Sequence, residues 1–215
     1  MTERIIPGPA GSLQLWVESP SAESKAIAVI CHPHPLHGGT LNNKVVHQLA
    51  RTFRKLGAVS FRFNFRGVGK SSGEYDEGRG ELDDLLAVVV WAKNQWPDRD
   101  LWLAGFSFGA FVALKAAQQL VPDWLVTVAP AVNHFPDNIP LDADFPWLLI
   151  HGDQDEIVPA DTLLSWFHGL EHPPRLELLE GAGHFFHGRL NDLSQTIEVA
   201  ARESGPGALR QNAEQ

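Results

Sequence analysis

Residues Asp100 to Leu114 read DLWLAGFSFGAFVAL, and this stretch decides the fold. Leu101–Ala104 is expected as a strand, and an Ala/Leu-rich helix is expected to open at its far end. Between them stands Gly105-Phe106-Ser107-Phe108-Gly109. A G-x-S-x-G turn between strand and helix is a nucleophile elbow, in which a serine with strained backbone angles presents its hydroxyl at the end of the sheet. The flanking glycines fit the close passage of strand past helix, where a side chain would collide. A helix N-terminus behind Ser107 also turns free N–H groups toward developing negative charge. The plainer alternative is a glycine–serine βα turn, and the apolar strand before it and helix after it weigh against that.

Working outward, Ala26–Cys31 (AIAVIC) is a continuous apolar run, as in strands buried on both faces. It ends in His32-Pro33-His34-Pro35-Leu36-His37-Gly38-Gly39, a loop stiffened by two prolines. Asn42 or Asn43 can cap the next helix, which carries Val45, Val46, Leu49, Phe53 and Leu56 at helical spacing and stops at Gly57. Ala58–Phe65 reads as a strand running into Arg66–Gly73, and a helix follows from about Gly80 to Trp96, ended by Pro97. Further strands are expected at Trp124–Ala129, Pro146–Ile150 and Arg175–Leu179, with helices at Ala160–Leu170 and Asn191–Arg202. Ser12–Glu18 alternates Leu13, Leu15 and Val17 with polar neighbours, as a half-buried antiparallel edge strand would. Strands and helices in this alternation imply an α/β fold, a mostly parallel sheet with helices on both faces. Ligands of such sheets bind outside the C-terminal ends of the strands.

The length, 215 residues, fits one domain, expected over 1–203, with the polar Gly/Pro-broken tail 204–215 fraying. A formal charge of −9 with no basic stripe argues against nucleic acid and against anionic membrane surfaces as partners. Cys31 is the single cysteine, which excludes an intramolecular disulfide and fits a reducing compartment. No signal-like apolar segment opens the chain, and no apolar run approaches the roughly 20 residues of a membrane span. A cytoplasmic location is therefore the expectation.

Two loops complete a constellation. After Pro146–Ile150 comes His151-Gly152-Asp153-Gln154-Asp155-Glu156-Ile157-Val158-Pro159, where a carboxylate could orient and charge-stabilise an imidazole. After Arg175–Leu179 comes Glu180-Gly181-Ala182-Gly183-His184-Phe185-Phe186, whose glycines let the loop fold tightly and return His184 toward the sheet. Ser107, then an acid, then His184 is the chain order of elbow hydrolases. With these segments the chain resembles the α/β-hydrolase superfamily over nearly its whole length. The stretches HPHPLHGGT, NNKVV and FNFRGVGKSSG are similar to a group of small bacterial predicted esterases without a cap domain. The resemblance implies Asp155 as the acid, at the fifth position of H-G-x-x-D-x-x-V-P, with Asp153 as the alternative or otherwise a turn-bonding residue.

An oxyanion hole needs two backbone donors. The first is expected at Phe108, directly after the nucleophile. The second should lie in the loop after AIAVIC, where Pro33 and Pro35 have no N–H, leaving His34, Leu36 and beyond. Matching His32-Pro33 to the family's His-Gly favours His34, although the usual H-G-G is absent here.

Rival chemistries fare worse. The spacing of His32, His34 and His37 does not match helical zinc pairing, so no metal or cofactor is expected. His151 reads as a structural histidine, and His187 is the runner-up base. Gly67-Val68-Gly69-Lys70-Ser71 lacks the first glycine of a phosphate-binding loop, since position 64 is Asn64. Arg66 is expected to brace loops around the site, and Cys31 to be a core residue. Pro130–Phe145 is too short for a cap of several helices, which implies an open site with limited apolar contact from Phe106, Phe108, Phe185 and Ile157. The expected activity is serine hydrolysis of small, short-acyl esters through Ser107, His184 and Asp155. A thioesterase or amidase, or a binding protein that has lost catalysis, are the alternatives.

Overall fold

The computed structural model describes residues 1–134 and 145–205. The expected fraying tail falls mostly within 206–215, outside the described residues. The strands are β1 (Thr2–Gly8), β2 (Gly11–Glu18), β3 (Ala26–Cys31), β4 (Ala58–Phe63), β5 (Asp100–Phe106), β6 (Trp124–Val128), β7 (Trp147–Gly152) and β8 (Arg175–Leu179). The helices are α1 (Lys44–Lys55), α2 (Gly80–Gln95), α3 (Phe108–Leu120), α4 (Ala160–His168) and α5 (Leu190–Glu203).

All eight strands form one sheet in the order β1-β2-β4-β3-β5-β6-β7-β8. From β4 to β8 every neighbouring pair is parallel, while β1–β2 and β2–β4 are antiparallel. The period-two geometry of a strand splits AIAVIC between two cores. Ile27, Val29 and Cys31 pack with Leu85, Val88, Val112 and Leu163 of α2, α3 and α4. Ala26, Ala28 and Ile30 pack with Val46, Leu49 and Phe53 of α1 and Leu193 and Ile197 of α5. A strand covered on both faces has no polar side to show, which is why the run is apolar throughout.

The chain steps from β3 to β4 on one side, then crosses back over β3 to β5 on the other. That reversal is a topological switch point, where the loops after β3 and β5 part and leave a crevice. Cys31 pairs with Gly105, so the two strands end level and deliver His32 and Ser107 to the same edge.

The expected Asn42-or-Asn43 cap resolves to Asn43, whose side-chain oxygen accepts from the N–H groups of Val45 and Val46. The chain then leaves the helix through Gly57 at φ 96°. The expected edge strand is corrected. Residues Gly11–Glu18 lie between β1 and β4, and β1 is the true edge. Thr2–Gly8 hides only Ile6 and contains Pro7, so its alternation is too weak to announce a strand, and a proline suits an edge. No helix among the described residues is long and apolar enough to cross a membrane.

Both elbow glycines are set by space rather than by unusual backbone angles. A Cβ on Gly105 would lie 2.1 Å from the Gly109 carbonyl oxygen, and one on Gly109 would lie 2.4 Å from that of His32 and 2.5 Å from that of Cys31. Because the obstructing atoms are backbone, Gly109→Ala is expected to lower stability by about 2 kcal/mol or more. A urea unfolding midpoint matching that of the unsubstituted protein would contradict this close passage.

Candidate active site

The end of β5 turns through Ser107 at φ 55°, ψ −117°, a region that non-glycine residues enter only when the surroundings force them. The Ser107 N–H donates to the Val128 carbonyl at the end of β6 (2.9 Å), and the Ser107 carbonyl accepts from Ala110 in α3 (3.0 Å). These bonds hold the Ser107 backbone on both sides. Its Oγ lies 3.1 Å from His184 Nε2.

His184 Nδ1 in turn lies 2.8 Å from Asp155 Oδ2, while Asp155 Oδ1 accepts from the N–H groups of Ile157 (2.8 Å) and Val158 (2.7 Å). All three residues are nearly buried, at 8%, 3% and 5% exposure for Ser107, His184 and Asp155. Burial pushes the Asp155 carboxyl up, but the bonds from His184 and from the two backbone N–H groups outweigh it and hold the group below the ordinary aspartate value. An ionised Asp155 fixes the tautomer. His184 Nδ1 carries the proton and donates to it, and Nε2 is left to accept from the Ser107 hydroxyl.

The alternative acid, Asp153, is elsewhere. Its Oδ1 accepts from Gly181 N–H at 2.6 Å and ties the acid loop to the histidine loop. His187, the alternative base, is exposed and stacked beside Phe185. His151 is fully buried, donates from Nε2 to the Val158 carbonyl (2.9 Å) and stands 3.6 Å from Asp155 Oδ2. Burial lowers its pKa despite those two acceptors, so it stays neutral and aligns the turn that feeds Val158 N–H to Asp155.

The loop after β3 is organised by His32. Its Nε2 accepts from Phe65 N–H (3.1 Å), which leaves Nδ1–H to donate to the Pro33 carbonyl (2.6 Å). Both ring nitrogens are thereby engaged with backbone, and no group of three or more metal-ligating side chains occurs among the described residues. His34 caps the short 3-10 turn Pro35–His37 by accepting Leu36 N–H at Nδ1 (3.2 Å). Leu36 N–H is therefore already engaged. Phe108, the first residue of α3, has an N–H without an intrahelical partner.

Arg66 braces as expected, with two guanidinium nitrogens and its own N–H on the buried Asp84 of α2. Three supporting groups escaped sequence reasoning. Glu81, fully buried in the first turn of α2, accepts from the N–H groups of Asp76 (3.0 Å) and Gly78 (2.7 Å). Glu156 accepts from His184 N–H at 3.1 Å and so fixes the histidine loop. Tyr75, the one tyrosine of the chain, bonds to His34 Nε2 at 3.2 Å. Acids at a helix start or beside a motif acid were the available signals.

One expected contact is corrected. Phe106 is fully buried and cannot line the mouth; its ring backs His184 at 5.1 Å. This follows from strand alternation, which turns Phe106 into the core while Ser107 leaves the sheet. Phe185 and Ile157, 40% and 45% exposed, do stand at the surface. Phe108 faces the rings of His34 and Tyr75.

Comparison with known proteins identifies the fold. The family model described as the alpha/beta hydrolase fold matches residues 36–144. The chain belongs to that family. An alpha-beta serine hydrolase homologue from Coxiella burnetii is 44% identical, with 91% of this chain and 95% of that one covered and a TM-score of 0.87. XC6422 from Xanthomonas campestris, described as a serine hydrolase without lid, is 42% identical over 94% of each chain with a TM-score of 0.89. An uncharacterized protein of Rickettsia prowazekii is 32% identical over 92% of this chain and 87% of its own. The fold is thus that of an alpha/beta hydrolase, and these relatives support a hydrolase. The short connection from Val128 to Trp147 is in keeping with the relative without a lid, although residues 135–144 are outside the described residues.

His32 generates a stability prediction. Burial lowers its pKa from 6.5 to about 4, even though the Pro33 carbonyl opposes that. Above the unfolded-state value both states are neutral and nothing is lost. As pH falls below it the unfolded chain binds a proton that the folded chain refuses, so stability declines until pH approaches the folded value. The full contribution is about 3 kcal/mol. Urea midpoints measured from pH 7 to 4 should fall less steeply in His32→Gln than in the unsubstituted protein, and parallel curves would refute the assignment.

Proposed function

We propose that the protein is a serine hydrolase of small carboxylic esters, acting through an acyl-enzyme. The observation that carries this reading is the continuous line Ser107–His184–Asp155, at 3.1 and 2.8 Å, beside the N-terminus of α3. Ser107 Oγ attacks the ester carbonyl while His184 Nε2 takes its proton. The tetrahedral oxyanion is received by the N–H of Phe108 and that of His34, the first residue after Pro33 to carry an N–H. Collapse breaks the bond to the alcohol, whose oxygen takes the proton back from His184. A water then attacks the acyl-serine with His184 again as base, releasing the acid and the free enzyme.

Asp155 holds the imidazole in the accepting tautomer and stabilises the imidazolium formed in each step. Its lowered pKa keeps it charged for this duty. The exposed Phe185 and Ile157 offer limited apolar surface beside the triad, which suits small esters better than those of long lipid chains.

A small fluorophosphonate is expected to add once, on Ser107, by intact mass and peptide mapping, and His184→Ala is expected to abolish the adduct. Ser107→Ala and His184→Ala should each reduce kcat by about 10⁴-fold or more, and the double variant should be no worse than either alone. A folded protein that neither labels nor turns over any ester would sink the reading. Faster turnover of long than of short acyl chains would sink the chain-length part alone.

A further inference from the structure

Beside the loop that carries His34 lies a groove of about 420 Å³, lined by Pro35, Leu36, Arg66, Val68, Glu74 and Tyr75. We infer that this groove receives the acyl group of the substrate and that Tyr75 selects neutral acyl groups bearing an oxygen acceptor. The inference rests on the ester-hydrolase reading above and deepens it.

Position separates acyl from alcohol. The leaving oxygen must take its proton from His184, so the alcohol departs on the side of the acid and histidine loops. No residue of 151–158 or 180–187 lines the groove. Its walls belong to the other side, where Pro35 and Leu36 follow the proposed oxyanion donor directly. The Tyr75 ring packs 4.9 Å from that of His34 and 5.9 Å from that of Phe108. With its carbonyl oxygen between the N–H groups of His34 and Phe108, an ester extends its acyl chain toward this side.

A proton count then assigns the polarity of the groove. Leu36 N–H donates to His34 Nδ1, so a neutral His34 carries its proton on Nε2 and donates it to the Tyr75 oxygen. The Tyr75 hydroxyl hydrogen is not used in that bond and can be offered to a ligand. Burial, reinforced by the nearby Glu81 and Glu77, raises the Tyr75 pKa, so the hydroxyl remains a donor in neutral solution. The groove carries no uncompensated cation, because Arg66 is held by the buried Asp84, while Glu74 puts a carboxylate on its wall. A carboxylate-bearing acyl group has nothing to meet there. A neutral ether, hydroxyl or carbonyl oxygen meets Tyr75, and the carbon chain meets Pro35, Leu36 and Val68.

The test uses p-nitrophenyl esters in matched pairs, methoxyacetyl with butanoyl, 3-methoxypropanoyl with pentanoyl and 4-methoxybutanoyl with hexanoyl. Comparing each ratio of kcat/KM between the unsubstituted protein and Tyr75→Phe cancels intrinsic reactivity. At least one oxygenated ester should lose 5- to 20-fold relative to its alkyl partner. A uniform fall across all pairs would mean that Tyr75 only positions His34, and would overturn the selection. In a second variant, Val68→Trp, the hexanoyl-to-acetyl ratio should fall at least 10-fold, whereas ratios among alcohols on a fixed acyl group should change less than twofold. The reverse pattern would make the groove an alcohol site and overturn the inference. Fluorophosphonate labelling of Ser107 in all three proteins keeps the ester-hydrolase reading standing however these ratios fall. Absence of label and of all turnover would remove both.

Discussion

The site depends on how closely the first turn of α3 approaches the end of β3. Gly109 touches the carbonyls of Cys31 and His32, and Gly105 touches the carbonyl of Gly109, at distances that leave no room for a methyl group. This double contact folds the chain back sharply enough to force Ser107 into its strained conformation. The same contact sets the first N–H groups of α3 against the loop that begins at His32. Ser107 and the first N–H groups of α3 are thus placed by one packing event, which the parallel pairing of β3 with β5 makes possible.

Around that contact the loops are held by side-chain acceptors, most of them buried, on backbone N–H groups rather than by apolar packing alone. His32 takes Phe65, Glu81 takes Asp76 and Gly78, Asp84 takes Arg66, Asp155 takes Ile157 and Val158, and Glu156 takes His184. Strand-end loops expose unpaired backbone donors, and a buried donor left unmet costs about 1–3 kcal/mol. Side-chain acceptors meet that demand and also fix where each loop runs. Asp155 joins the two duties, since the N–H groups that order its turn also keep it ionised for His184.

The histidines illustrate how little a residue type reveals until its partners are known. His32 and His151 are neutral struts with ring protons aimed at backbone carbonyls, and His34 caps a 3-10 turn. Of these four site histidines, His184 alone has its two ring nitrogens between a carboxylate and a hydroxyl. Arg66 behaved as expected of a brace, but its anchor, Asp84, lies eighteen residues on, within the helix expected from about Gly80 to Trp96.

The sequence by itself determined the parallel sheet, the elbow, and the three loops that carry Ser107, Asp155 and His184. Each is written in local pattern: apolar runs of strand length, glycines where backbones meet, and a fixed order of loops at strand ends. Asp155 over Asp153 needed the family resemblance, and only the fold separated them, because both carboxylates sit in one turn and both meet the histidine loop, Asp155 at the His184 ring and Asp153 at the Gly181 N–H. Tertiary structure alone decided that Thr2–Gly8 closes the sheet, that Phe106 supports rather than lines the site, and that Glu81, Glu156 and Tyr75 belong to it. These depend on contacts between segments distant in the chain, and no local periodicity encodes which buried N–H a carboxylate will find.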